Sequence, residues 1–486
     1  MSRLSKNTLS TLPQTVLTPE YDLASTETGI VHLGPGAFHR AHQAVYTDMA
    51  MKHGGNWRID AVSMRSKGLQ EKLSEQDNLY SLVVLDEKPY MQVIGAFNHI
   101  FVLNEQREQV MASMCAASTH IISSTITEKG YCLNGQGDLD VHHADIKHDL
   151  ANPESPISAI GLLVAVLRQR QISGADQLTI ISCDNLSNNG DKLGKAVLAF
   201  ANLVEPELAL WIQENIAFPN TMVDSITPAT DEALIALAQE KMGLTDAWPI
   251  QREGFTQWVI EDKFSGPRPA WEKVGVTFTN DVHNYEKAKL RILNGTHSSL
   301  AYIGSLAGLD TVYNAISQPA LAQFIRRLLL EEIIPSIAGA DDMNLPQYAE
   351  EISQRYHNRH IRHLLAQIAW DGSQKLPFRI LDTVRDNLAA GRSITCLCVP
   401  LAAWIRFIAW RHETGVELVD PLSSTLLSLA ETHKGDLQQL GNAILNLDAV
   451  FADLVDHTEF RETVLTQLNT LTSLNEANLS DCLGDV

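Results

Sequence analysis

The chain has little cysteine and none of it is patterned: Cys115, Cys132, Cys183, Cys396, Cys398 and Cys482 are scattered through 486 residues without a repeating Cys-x-x-Cys. Neither a disulfide framework nor a zinc knuckle is suggested, and buried free thiols in a reducing cytoplasm are the simpler reading. Long apolar runs are missing too. No stretch reaches about 18 uninterrupted apolar residues, and residues 1–22 contain no apolar core of the kind a leader carries, so the expectation is a cytoplasmic protein with no membrane span. Positive charge is short, at 37 Lys and Arg against 58 Asp and Glu, a formal net charge of −21. That balance excludes a nucleic-acid or anionic-membrane partner, which requires a basic surface, but leaves room for a small anionic substrate in a local basic pocket. Repeats, low-complexity tracts and long flexible linkers are also missing.

What is present describes a globular protein, with 45% apolar and 20% charged residues. Its length favours two domains. The first half alternates strand-like segments (30–33, 58–64, 80–85, 90–97, 120–127 and 178–185) with amphipathic ones such as 159–171. This alternation implies a mostly parallel sheet covered by helices. Beyond about residue 283 the period becomes helical and convincing strands disappear. The expected fold is α/β: a Rossmann-like dinucleotide-binding domain over 1–282, then an all-α substrate-binding and catalytic domain over 283–486.

Within the first domain, "IVHLGPGAFHRAHQAVYTD" (30–48) has the outline of a strand, a tight turn and a helix start. In a dinucleotide fold the first glycine of such a turn permits the turn itself. The second lets the backbone approach a pyrophosphate at a helix N-terminus. Gly34 and Gly36 suit these roles, although His39 stands where the usual fingerprint has a third glycine. An ordinary βα turn has the same outline. The second strand ends in Arg65, Ser66 and Lys67, with no carboxylate to bond a ribose 2′-hydroxyl, and Asp60 lies inside the strand. A basic, hydroxyl-bearing end is compatible with a 2′-phosphate, so NADP stays open beside NAD.

In the second domain the informative segment is "YEKAKLRILNGTHSSLAYIG" (285–304). With Lys289 at 0° on a regular helix, Glu286 falls near about 60°, His297 near about 80° and Asn294 near about 140°. Leu290 and Leu293 share that arc while Arg291 and Lys287 point away, so the polar face is at least partly buried. Burial moves a lysine toward neutrality and suits Lys289 to act as a general base on a hydroxyl. Asn294 and His297 suit donation to an oxygen that gains alkoxide character. A solvated pair of Glu286 with Lys289 or Lys287, beside a capped core histidine, is the alternative. His142, His143 and His148, and the trio His357, His360 and His363 at helical spacing, lack the carboxylate or thiol pattern of a zinc site. Cys396 and Cys398 are expected to pack in a helix.

Taken together, Lys289-x-x-x-x-Asn294-x-x-His297, "GPGAFHRAHQA" (34–44), "TEKGY" (127–131), "SCDN" (182–185), "MVDSITP" (222–228) and "DGSQKLP" (371–377) resemble the mannitol dehydrogenase family, the polyol-specific long-chain dehydrogenases, over nearly the whole chain. The resemblance implies that Gly34, Gly36, Ala37, Phe38 and His39 form the nucleotide loop, since the family reads Gly-x-Gly-x-Phe-His-Arg there, with Arg65 near the cofactor. It implies an NAD-dependent, zinc-independent hydride transfer in which Lys289 is the general base. Asn185 and Asn294 would stabilise the oxyanion, His297 would position the substrate oxygen, and Glu286 would relay protons between Lys289 and solvent. Asp224 and Lys375 match substrate-contacting positions. "WVIEDKF" and "IAWDGSQKLP" carry a closer match to sugar-acid members, which implies interconversion of a keto-uronate and an aldonate. Gln367 and Trp370 stand where mannitol enzymes carry Arg and His, and Ser225 stands where uronate-type relatives carry Arg. The competing readings are a dehydrogenase of a neutral polyol and a non-catalytic cofactor-binding redox sensor. The oligomeric state is left open, a monomer included.

Overall fold

The computed structural model describes residues 2–175, 177–337 and 343–484. The chain divides into two compact units, Met1–His283 and Asn284–Val486.

The first unit is built on a six-stranded, all-parallel sheet of the segments Thr28–Leu33, Arg58–Ser63, Phe97–Val102, Ile121–Ser124, Leu178–Ser182 and Ile216–Ala217. Numbered along the chain, these strands lie in the spatial order 3-2-1-4-5-6, the order of the dinucleotide-binding fold. Adjacent residues point to opposite faces, and both faces are covered, which is why the strands read as continuous apolar runs. Ile122 and Ile180 join a core with the helices Ala159–Ser173 and Asn189–Val204. Ile121 and Ile181 join a second core with the helix Gln43–Met51.

Two smaller sheets complete this unit, and one corrects the sequence reading. The segment 90–97 is two strands: Tyr90–Ile94 pairs antiparallel with Tyr80–Leu85 in a four-stranded mixed sheet, while Phe97–Val102 belongs to the parallel one. Gly95 marks the break, and its N–H donates to Asp48 Oδ1 at 2.8 Å. The Tyr21 hydroxyl donates to the same oxygen at 2.7 Å. The third sheet joins Thr221–Asp224, Gln257–Glu261 and Thr277–Thr279.

The second unit is helical. Its central helix, Thr395–Thr414, contains the buried Cys396 and Cys398 and packs against Thr296–Leu306, Ser423–Thr432 and Thr458–Thr470. A remote carboxylate caps its N-terminus: Glu332 Oε1 accepts from Cys396 N at 2.9 Å and Oε2 from Leu397 N at 2.8 Å, while the Ser393 hydroxyl donates to Oε1 at 2.7 Å. A buried anion on a helix N-terminus satisfies orphan N–H groups and opposes the dipole. No described helix is long and apolar enough to cross a membrane.

Two outcomes follow from these buried carboxylates. Glu332→Gln should lower unfolding stability in urea by roughly 2 kcal/mol or more; an unchanged unfolding midpoint would show that the charge does not cap the helix. Burial raises the Asp48 carboxyl from the ordinary range to about 7. Because the folded value lies above the unfolded one, Asp48 contributes stability that is full below about pH 4 and is lost as pH rises through 7. Asp48→Asn should flatten that part of a melting-temperature profile between pH 4 and 8, and an identical slope in both proteins would refute the assignment.

Candidate active site

The strand order reverses between Thr28–Leu33 and Ile121–Ser124, and ligands of such sheets bind beyond the strand ends at that crevice. Gly34 follows the first strand with φ +83°, and a Cβ on it would lie 2.4 Å from the Thr125 carbonyl oxygen. Only glycine fits there. Gly36 is the N-cap of the short helix Ala37–Ala41, and a Cβ on it would meet nothing closer than 3.9 Å. The turn is therefore tight beneath and open above, the cradle a pyrophosphate needs, and the residues present fit a dinucleotide. Ala37 and Phe38 are half-buried, whereas His39 is buried and stacks on His32 with ring centroids 3.3 Å apart. His32 is fixed by Ser123 Oγ at 2.8 Å and Thr125 Oγ1 at 2.9 Å, and Thr125 in turn donates to the Gly34 carbonyl at 2.7 Å. Burial holds both imidazoles neutral, His32 near 3 and His39 also well below its ordinary value.

The next loop is held by Asp184. Its carboxylate accepts from Ile126 N at 3.1 Å, Thr127 N at 2.8 Å and the Tyr131 hydroxyl at 2.5 Å. Thr127 is held at φ 65°, ψ 163°, a region populated almost only by glycine and maintained here by those bonds. Burial raises the Asp184 carboxyl above its ordinary value, against the lowering effect of the Tyr131 hydrogen bond. Asn185, the next residue, is exposed three positions beyond the strand Leu178–Ser182.

At the end of the second strand the structure adds what the local sequence lacks. Arg65 is exposed and pairs with Asp145 at 3.2 Å, and Lys67 pairs with Glu105. Two carboxylates from distant segments thus stand beside the basic residues. Ser66 Oγ accepts from Gly68 N at 3.3 Å. Asp60 is buried and accepts from the hydroxyls of Thr28 at 2.8 Å and Ser113 at 2.6 Å.

In the second unit the segment 285–304 is not one regular helix. Val282–Ala288 and Thr296–Leu306 are α-helical, but Lys289–Gly295 forms a π-helix. Its i→i+5 bonding widens the turn and voids the 100° arithmetic beyond Lys289. Glu286, Lys289 and His297 are nevertheless all buried, and Asn294 is half-buried. Arg291, expected to point away from the polar face, is not solvated. It is buried, donates to the Ser336 carbonyl and hydroxyl at 3.1 and 2.8 Å, and pairs with Asp386 at 2.7 Å. Lys287 pairs with the same Asp386, at 3.3 Å.

His297 has neighbours that sequence reasoning set aside. Its ring centroid lies 4.8 Å from that of Tyr356 and 5.0 Å from that of His363. The histidine trio 357, 360 and 363 is not helical, because the helix Leu345–Tyr356 ends just before it. Burial, and then the neighbouring His363, Arg355 and Arg379, push His297 well below its ordinary value, so it is a neutral imidazole near pH 7. Burial takes His363 to about 4. Arg379 Nη1 donates to Ser298 Oγ at 3.1 Å. Lys375 donates to the Trp370 carbonyl at 2.7 Å, and burial and the Arg379 charge lower its pKa. Asp224 is buried at the end of the strand Thr221–Asp224. No group of three or more His, Cys, Asp or Glu among the described residues could hold a metal ion.

A parallel sheet of this order, a glycine turn at its reversal and a helical second unit define a dinucleotide-dependent dehydrogenase. The description "Mannitol dehydrogenase Rossmann domain" matches residues 28–273, and "Mannitol dehydrogenase C-terminal domain" matches 281–472. The chain is 40% identical over 457 residues to D-mannonate oxidoreductase of Escherichia coli (strain K12), covering 91% of this chain and 92% of that one. It is also 40% identical over 415 residues to mannitol 2-dehydrogenase of Cereibacter sphaeroides, covering 84% and 87%. The Pseudomonas fluorescens mannitol 2-dehydrogenase in ternary complex with NAD and D-mannitol superposes with a TM-score of 0.81 at 34% identity, covering 99% of both chains. The chain belongs to the mannitol dehydrogenase family, and it is an oxidoreductase acting on CH–OH groups whose Rossmann domain fits NAD.

Gly34→Ala places a methyl where the Thr125 carbonyl stands and forces an alanine to positive φ. It should weaken NADH binding, read by fluorescence titration, by at least about tenfold, consistent with strain on the order of 1–3 kcal/mol. Unchanged affinity would show that this turn does not shape the nucleotide site.

Proposed function

We propose that the protein interconverts a keto-uronate and the corresponding aldonate, of the D-fructuronate and D-mannonate type, by NAD-dependent hydride transfer with Lys289 as the proton-transferring group. The observation that carries this reading is the joint burial of Glu286, Lys289 and His297 along one helical segment. A solvated surface pair would not bury these groups, and a non-catalytic sensor has no use for them. The D-mannonate oxidoreductase similarity supports the sugar-acid choice. Mannitol 2-dehydrogenase matches at equal identity, which keeps a neutral polyol as the second reading.

In the reductive direction, NADH supplies the hydride to the carbonyl carbon. Lys289, as the ammonium, gives its proton to the carbonyl oxygen as negative charge builds there, and takes it back in the oxidative direction. Asn294 and Asn185 donate to that oxygen and lower the cost of the charge. His297 is neutral, so it can bond the substrate oxygen without adding a fixed positive charge. Glu286 returns the proton between Lys289 and solvent, and Asp224 and Lys375 orient substrate hydroxyls. Gly34, Gly36, Ala37, Phe38 and His39 form the nucleotide loop. The carboxylates of Asp145 and Glu105 beside Arg65 and Lys67 support preference for NADH, because they disfavour a 2′-phosphate. NADPH is expected as the poorer cofactor, and the location is expected to be cytoplasmic.

Lys289→Ala should reduce kcat by at least roughly 10²-fold with little change in NADH affinity, measured by steady-state reduction of D-fructuronate. Near-normal turnover would make the lysine structural. Comparing kcat/KM for D-fructuronate, D-fructose, NADH and NADPH tests the rest: a preference for D-fructose, or for NADPH, would overturn the corresponding assignment.

A further inference from the structure

Arg379 sits inside the catalytic face of the second unit without any assigned role. It belongs to the π-helical segment Pro377–Leu381, which packs directly on the π-helix Lys289–Gly295. The approach is close enough that a Cβ on Gly295 would lie 2.9 Å from the Arg379 carbonyl oxygen. The side chain then runs to the residue beside His297, bonding Ser298 Oγ at 3.1 Å through Nη1. Its Nε is buried and has no hydrogen-bond partner among the described residues. The phenol rings of Tyr302 and Tyr356, neutral near pH 7, are its electrostatic neighbours, and among the described residues no carboxylate acts on it. The nearby acids are committed elsewhere. Asp420 accepts from Ser373 N at 2.8 Å, Ser373 Oγ at 2.5 Å and Leu422 N at 2.8 Å, and Asp371 lies 3.7 Å from Lys375.

A largely buried guanidinium with one neutral contact is costly unless an anion completes it. Two other arginines of this unit show the contrast. Arg291 and Arg385, also partly or fully buried, each have aspartate partners, at 2.7 Å in the Asp386 and Asp453 pairs. A guanidinium presents a planar fork that matches a carboxylate in two parallel bonds. We propose that Arg379 binds the substrate carboxylate and so selects sugar acids over neutral sugars. Bonded to Ser298 and adjoining His297, it fixes the acid end of the substrate relative to the carbonyl handled by Lys289, Asn294 and His297. A neutral hexulose offers no anion and leaves the guanidinium uncompensated.

This proposal rests on the sugar-acid reading, so the experiment separates the two. The readout is the ratio of kcat/KM for D-fructuronate to that for D-fructose, with NADH saturating, in the wild type, Arg379→Gln and Arg379→Lys. If the wild type favours the neutral ketose, the sugar-acid reading fails and Arg379 with it. If the wild type favours D-fructuronate, Arg379→Gln should lower the ratio by about 30-fold or more, chiefly through KM for the acid, as expected for loss of a charge-assisted pair. Arg379→Lys should give an intermediate ratio, since it keeps the charge without the fork. A merely structural arginine would depress both substrates alike and leave the ratio in place; that result overturns the proposal while the sugar-acid reading stands. Should Arg379→Gln fail to fold, the lysine variant decides, because a ratio equal to that of the wild type is then the refuting outcome.

Discussion

The second unit turns on a close backbone contact. Gly295 meets the Arg379 carbonyl with no room for a side chain, and two π-helical segments, Lys289–Gly295 and Pro377–Leu381, lie against each other around it. The wider turns are supported by side chains: the Tyr356 hydroxyl donates to the Leu293 carbonyl at 3.0 Å, and the Thr296 hydroxyl lies 2.5 Å from the Ile292 carbonyl. π-bulges are rare and recur at functional sites, because they re-aim side chains that a regular helix would place elsewhere. Here the irregularity runs from Lys289 to the residue after Asn294.

The two units handle buried polar groups differently. In the first, histidines are kept neutral and pinned by hydroxyls, as with His32 between Ser123 and Thr125. This suits a loop that must bring its backbone close to an anion without adding a competing charge. In the second, neutral imidazoles lie among guanidiniums, and Arg355 and Arg379 contribute to holding His297 uncharged. The chain is acidic as a whole, at −21, yet this face is locally cationic.

Much of this was legible in the sequence, for identifiable reasons. Strands buried on both faces announce themselves as apolar runs, and a glycine at positive φ shows as a glycine, so the sheet and the Gly34 turn could be read. Lys289, Asn294 and His297 stood out because their spacing is local. The π-helix did not, since a regular and a widened turn use the same residues and packing against Arg379 decides between them. For the same reason the burial of Arg291 was not foreseen: its partners, Ser336 and Asp386, lie 45 and 95 positions along the chain. Asp145 and Glu105, which reach Arg65 and Lys67, are equally invisible to a reading of the strand end alone. His363 looked like part of a metal-type trio because its spacing was taken as helical, whereas the chain there has already left the helix.

The helix that follows the polar segment, Thr296–Leu306, packs on Thr395–Thr414, and that helix in turn on Thr458–Thr470. The Glu332 carboxylate fastens the middle helix to chain made more than sixty residues earlier. Contacts so distant in sequence close late, after the entropy of long loops has been overcome. During synthesis the residues around Lys289 therefore leave the ribosome well before the helices that buttress them exist. The polar face waits, incompletely packed, until the helix Thr458–Thr470 has emerged, and in that interval the apolar surface those helices will cover is open to misassociation.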